Sequence, residues 1–246
     1  MVRAEFRLNG GGAAGAGGAA GAGGAGVDVS IDEEAIAAAW ARIGAGFNVA
    51  PAAETPDLEQ LLLDTIRAGR GHARLLIVAI TWLTRYGQLV ARHRLRRMAI
   101  EQLDASERAV LGLVLDLVRD HTGTAQFNDT ILACRPRPHA EPLFLVHQRH
   151  EWLFARLEAR ASTISRRWNL LAEPIELKPN VLAQPSWIMR NNPSFAVRAD
   201  CEGDLRCSIL AEIASDPSAG ESELELARRC GATRTSIRQA LGRLEL

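Results

Sequence analysis

From Asp57 onward, apolar side chains return at intervals of three and four residues, and strict alternation is rare. Leu58, Leu61, Leu62, Thr65 and Ile66 make one stripe that Gly69 and Gly71 close. The text then predicts a buried helix from Arg74 to about Thr84, a turn at Gly87 and a further helix from Leu89 to Met98. Between Ser106 and Val118, the residues Val110, Leu111, Val114, Leu115 and Val118 share one face, the pattern of a helix turned to a core. Upstream, Ser30 and Glu33 have the spacing of a capping box for a helix to about Ile43. Such short gaps between helices predict a bundle.

Beyond His121 the pattern weakens. Pro136, Pro138 and Pro142 interrupt it, Leu143 to Val146 reads as a strand or a helix start, and a helix is expected from about His147 to Ala161. Trp152, Phe154 and Leu157 are its expected core residues. Pro174, Pro179, Pro185 and Pro193 predict an extended stretch over 173–194, within a Pro-rich connector over 173–199. The expected organisation is therefore a lead over 1–29, a helical domain over 30–172, that connector, and a small domain over 200–246.

Composition sharpens this picture at the start of the chain. All 17 residues from Gly10 to Gly26 are Gly or Ala, so the lead has no side chains to bury and is expected to be disordered. Its Gly21-Ala22-Gly23-Gly24-Ala25-Gly26 satisfies a dinucleotide-loop pattern, but more Gly/Ala precedes it where a buried strand is required. No cofactor follows from it. Aromatic residues are 5% of the chain, with Tyr86 the single tyrosine, which disfavours an all-β fold.

The four cysteines, Cys134, Cys201, Cys207 and Cys230, form no C-x-x-C pair and are expected to be free thiols. No secretory signal opens the sequence, and the longest apolar stretch, Leu75 to Leu83, is far short of the roughly 20 residues of a membrane helix. A cytoplasmic protein without membrane contact is expected. His147 and His150 are three apart beside Glu151, yet no H-E-x-x-H order exists and no third ligand is evident, so no metal site is expected. With no nucleophile elbow, phosphate loop or placed acid pair, the sequence gives no support for an enzyme.

Formal net charge is zero, but it is an average over opposed blocks. Between Asp64 and Glu101 lie eight arginines and no acid. Arg85, Arg92 and Arg96 recur at seven and four residues with Arg94 and Arg97 beside them, a face suited to a nucleic acid backbone or an acidic protein partner. The bland alternative is a solvated face neutralised by Asp104, Glu107, Asp116 and Asp120 of the next helix.

The last 43 residues divide into three helices. The first places Leu205, Ile209, Leu210 and Ile213 on one face, and Asp216-Pro217 ends it. The second opens with Ser222 and Glu225 at capping-box spacing and runs to Arg229. The third follows Cys230-Gly231-Ala232, with Thr233 as cap and Ile237, Ala240, Leu241 and Leu244 inward. Small Ala227, then Gly231 four residues on, then Ile237 six beyond, is the spacing that a helix-turn-helix demands.

The stretch ELARRCGATRTSIRQALGRLE resembles the second and third helices of winged helix-turn-helix transcription regulators, particularly of GntR type. The resemblance implies that Thr233, Arg234, Thr235, Ser236, Arg238 and Gln239 begin a recognition helix that enters the major groove of double-stranded DNA. Independently, five arginines and no acid lie from Arg228 to Arg243. Arginine forks onto guanine edges, and Gln239 suits adenine. The family pattern continues into a two-stranded wing, whereas this sequence stops at Leu246, so either the gene is truncated or docking relies on the helix.

The expected fold is thus mainly α: a helical bundle plus a C-terminal three-helix unit, winged-helix-like without a complete wing. The expected function is transcription regulation by DNA binding, with the helical part serving a homodimer or an acidic protein partner. A rival reading is a protein-binding adaptor, since the architecture is similar to AbiE-type antitoxins that accompany nucleotidyltransferase toxins.

Overall fold

The computed structural model describes residues 32–146, 151–201 and 203–244. Residues 1–29, expected as a disordered lead, lie outside this set, as do Ser30, His147 and His150. The fold is mainly α, with thirteen α-helices and two short strands among the described residues.

The first helix, α1 (Glu33–Arg42), is capped by Asp32, whose carboxylate accepts from the amides of Glu34 and Ala35 at 3.1 Å. It lays Ile36 and Trp40 on α2 (Leu58–Gly69), and the Trp40 indole N–H donates to Thr65 Oγ1 at 2.8 Å. The Thr65 hydroxyl in turn donates to the Leu61 carbonyl, so both buried polar groups are satisfied. Next, α3 (Ala73–Tyr86) forms the centre of the core. Its Leu76, Ile80, Trp82 and Leu83 are almost wholly buried, and Trp82 meets Trp40 edge-on at 5.7 Å and Phe195 at 6.4 Å.

Across from α3 runs α5 (Ala105–Thr122), opened by a complete Asp104–Glu107 capping box and closed at Gly123 in the left-handed region. Gly112 in its middle lets Trp168 approach so closely that an added Cβ would sit 2.1 Å from the indole. The same indole donates to buried Asp116 at 2.9 Å. Between α3 and α5 in sequence comes α4 (Arg92–Gln102), and α6 (Asn128–Ala133) follows α5.

Two regions depart from expectation. Within residues 173–199, the second half is not extended, because Pro185 and Pro193 open α9 (Pro185–Asn191) and α10 (Pro193–Asp200), and Pro179 opens a 3-10 turn, while 173–178 lie outside any helix or strand. Proline at the first helical position forfeits no hydrogen bond, since that amide has no helical partner. The stretch lies on the core, with Ile188 and Phe195 buried and the Ala183 carbonyl accepting from the Tyr86 hydroxyl at 2.6 Å.

The second departure is α7 (Glu151–Arg160), which buries Leu157 but leaves Trp152 63% exposed and Phe154 half-buried. After it, α8 (Thr163–Arg167) leads into a two-residue parallel pairing of β1 (Glu141–Pro142) with β2 (Leu170–Leu171), Glu141 opposite Leu170. Three helices end the described chain: α11 (Leu205–Ser215), α12 (Glu223–Cys230) and α13 (Arg234–Leu244).

Candidate nucleic-acid interface

Helices α11 to α13 share a small core of Ile209, Ala219, Leu226, Ala227, Cys230, Ile237 and Ala240. Local chemistry sets each corner. Ser222 caps α12 by accepting from the Glu225 amide at 3.4 Å, although the Glu225 carboxylate turns to Arg228 and Arg229 at 2.7 Å instead of closing a box. Gly231 ends α12 with φ +61°, the left-handed value the tight turn needs, and a Cβ there would meet nothing within 4 Å. Its requirement is therefore a backbone one. Two residues on, Thr233 Oγ1 accepts from the Ser236 amide at 3.1 Å and starts α13.

With Ile237 fully buried and Ala240 nearly so, the outward side of α13 is determined. Thr233, Arg234, Thr235, Arg238 and Gln239 are exposed, and Ser236 is half-buried beside them. All six residues expected at the start of a recognition helix thus lie together on or beside one solvent-facing surface. Across the turn, one carboxylate serves two of them: Glu223 of α12 accepts from Arg234 at 2.9 Å and from Arg238 at 2.8 and 3.1 Å. Hydrogen bonds from Arg238 and then Arg234 pull its pKa down to about 2. Glu225 is likewise held at about 2 by Arg228 and Arg229. Both acids are fully ionised at neutral pH.

The other arginine block is divided by the fold. Arg85 lies on α3, over the Tyr86 ring at 5.4 Å and donating to Gln184 at 3.3 Å. Arg92 is half-buried and Arg96 exposed on the solvent side of α4. Arg94 points inward and is only 5% exposed. It forks onto Asp57 with two bonds of 2.6 Å and reaches Glu59 at 3.0 Å, the latter with no exposure at all. Arg97 is half-buried and donates to Glu212 of α11 at 2.5 Å, to the Arg229 carbonyl at 2.6 Å and to Glu101 at 2.7 Å. The acids that neutralise these two arginines thus come from α2, α11 and α4 itself, and not from Asp104, Glu107, Asp116 or Asp120 of α5.

Glu59 is the centre of this network. It accepts from the Ala91 amide at 2.8 Å, from Arg94, and from Arg198 of α10 at 2.8 and 3.2 Å. Burial alone would raise the Asp57 pKa, but the hydrogen bonds and charge of Arg94 prevail and hold it below its ordinary value. Burial likewise opposes the Arg94 cation and is outweighed by Asp57 and then by Glu59 and Glu212, so its pKa is raised. Cys207 on the same seam donates to the Leu89 carbonyl at 3.8 Å. Helix α4 is thus joined by ion pairs to α2 on one side and to α11 on the other, and to α12 by the Arg97 hydrogen bond to the Arg229 carbonyl.

Sequence reasoning passed over Glu59, Glu212 and Arg198. The signal was present for the two acids: Glu59 falls among Leu58, Leu62, Leu63 and Ile66, and Glu212 between Ile209 and Ile213. An ionisable group inside an apolar stripe implies a buried partner.

All four cysteines are free and buried. Burial pushes the Cys134 thiol up to about 11 and those of Cys207 and Cys230 up to about 12. No group of three or more potential metal ligands occurs among the described residues, and no helix among them is long and apolar enough to cross a membrane. Comparison with known protein families, curated proteins and solved structures gives no match to this chain.

Proposed function

We propose that the protein binds duplex DNA through α13 and regulates transcription. The observation that carries this reading is the division of α13 into an inward side fixed by Ile237 and Ala240 and an outward side of Thr233, Arg234, Thr235, Arg238 and Gln239 with no acid of its own. Guanidinium forks suit guanine edges, a glutamine suits adenine, and threonine hydroxyls near a helix start suit phosphates. One such helix reads only a few base pairs, so a two-fold pair of chains on a palindromic site completes the proposal.

The test is a salt-titrated binding assay with DNA from upstream of the protein's own gene. Replacing Arg234 and Arg238 together by alanine lowers affinity and flattens the dependence of log K on log salt. A variant that binds with the slope of the parent protein refutes the assignment of these arginines.

A further inference from the structure

Beside the turn that precedes α13 lies a cleft of about 200 Å³, with His93, Arg96 and Ile100 of α4 on one wall and Cys230 and Gly231 on the other. Arg97 and Glu101 also line it, but their side chains are joined at 2.7 Å and Arg97 is further committed to Glu212. Arg96 is different. It is exposed and makes no hydrogen bond or ion pair with any described residue, and the same holds for half-buried Arg92 one turn before it. The neighbouring Arg94 and Arg97 anchor α4 to the core and to α11 and α12, so this free pair is carried on a fixed helix.

We propose that Arg92 and Arg96 form a second contact to the DNA phosphate backbone, beside the groove contact of α13. The inference rests on the reading of α13 as a DNA-binding helix. Gly231, in the cleft wall, is two residues from Thr233, where the outward side of α13 begins, so a strand docked on that end passes the mouth of the cleft. Arg96 lines that cleft and Arg92 lies one turn before it on α4. On a helix that does not itself enter the groove, the two guanidiniums meet phosphates and not base edges, so the contact adds affinity and orientation without sequence preference. His93 faces Arg92, Arg96, Asp129 of α6 and Asp204, which precedes α11. Burial and then Arg92 lower its pKa, so at neutral pH it contributes an N–H donor and no charge.

Fluorescence anisotropy with a labelled 30-base-pair duplex of mixed sequence, followed from about 50 to 200 mM salt, tests the proposal. Arg92→Ala with Arg96→Ala should lower the salt slope by about 2, which narrows the affinity change across that range by about tenfold. Arg92→Lys with Arg96→Lys should restore the slope, because the charge and not the fork is required. Both positions lie on the solvent side, so the circular dichroism spectrum should not change. If the parent protein binds no duplex, the reading of α13 fails and this inference with it. If the parent binds, Arg234→Ala with Arg238→Ala flattens the slope, and the α4 alanine pair leaves it unchanged, the second contact is overturned while the first stands.

Discussion

Arg94 on α4 and Arg238 on α13 are the same residue type in acid-poor runs of similar appearance, and the fold uses them in opposite ways. Arg94 is 5% exposed and fixed by Asp57 and Glu59 among others, whereas the side chain of Arg238 is 65% exposed and, among the described residues, pairs with Glu223 alone. In the first case the guanidinium is withdrawn from water together with Glu59 and Glu212, while Asp57 closes the network at its rim, so the buried charges make one another tolerable. In the second, the guanidinium is largely open to solvent, and the pair can separate at little cost. A run of arginines in a sequence thus says nothing about which of them face outward. The apolar stripe on the same helix does say so, because Arg94 adjoins Leu95 and precedes Met98 by four, while Arg238 follows Ile237 and has Ala240 turned away from it.

The contrast predicts where substitution is severe. Arg94→Met removes the cation shared by Asp57, Glu59 and Glu212, leaving buried Glu59 to Arg198 and the Ala91 amide and buried Glu212 to Arg97, and should destabilise the fold by about 3 kcal/mol, read from urea denaturation. Ile237→Ala empties the centre of the small three-helix core and should cost about 2–5 kcal/mol in the same measurement. Gly231→Ala has space for its methyl group but not the backbone angle, and should cost about 1–2 kcal/mol. Arg234→Ala with Arg238→Ala should leave the urea midpoint unaltered, and a large shift there would erase the distinction between the two clusters.

Two further measurements sharpen it. Asp57 has a depressed pKa when folded, so its contribution is complete above the unfolded value near 4 and declines as pH falls through the lower folded value. Stability should therefore fall on acidification below about pH 4, and Asp57→Asn should reduce that dependence. Cys207 and Cys230 are buried with thiols near 12, so a thiol reagent at pH 8 should not label them in the native protein. In Arg94→Met both should become reactive at sub-denaturing urea if the ionic seam is what closes this region.

Much of this was legible in the chain. The periodicities that placed α2, α3 and α5 correspond to the helices observed, because one side of each faces an apolar core and the stripe records it. The corner at Gly231 was legible for a different reason, since a tight turn leaves few residues able to occupy it. What escaped were features decided by distant partners. Pro185 and Pro193 looked like connector residues because a proline before a helix and a proline in a loop read alike until the following residues find something to pack on. Asp57 and Arg94 are 37 positions apart, and no local pattern links them. Of the face expected to be basic, Arg85 and Arg96 are exposed and Arg92 is half-buried, whereas Arg94 is buried and half-buried Arg97 is committed to Glu212, Glu101 and the Arg229 carbonyl.

Glu223 gives the outward side of α13 a built-in counter-ion. Any anion that reaches Arg234 and Arg238 must first outcompete a tethered carboxylate whose local concentration never falls and whose pKa of about 2 keeps it charged at any physiological pH. Isolated phosphates or single contacts exchange one anion for another with little gain. A ligand that engages both guanidiniums and their neighbours at once gains several bonds for the one carboxylate it displaces. Under the proposed reading Glu223 would set a threshold, so that the arginine pair would favour ligands making several contacts at once, and removing the acid should tighten weak encounters more than well-matched ones.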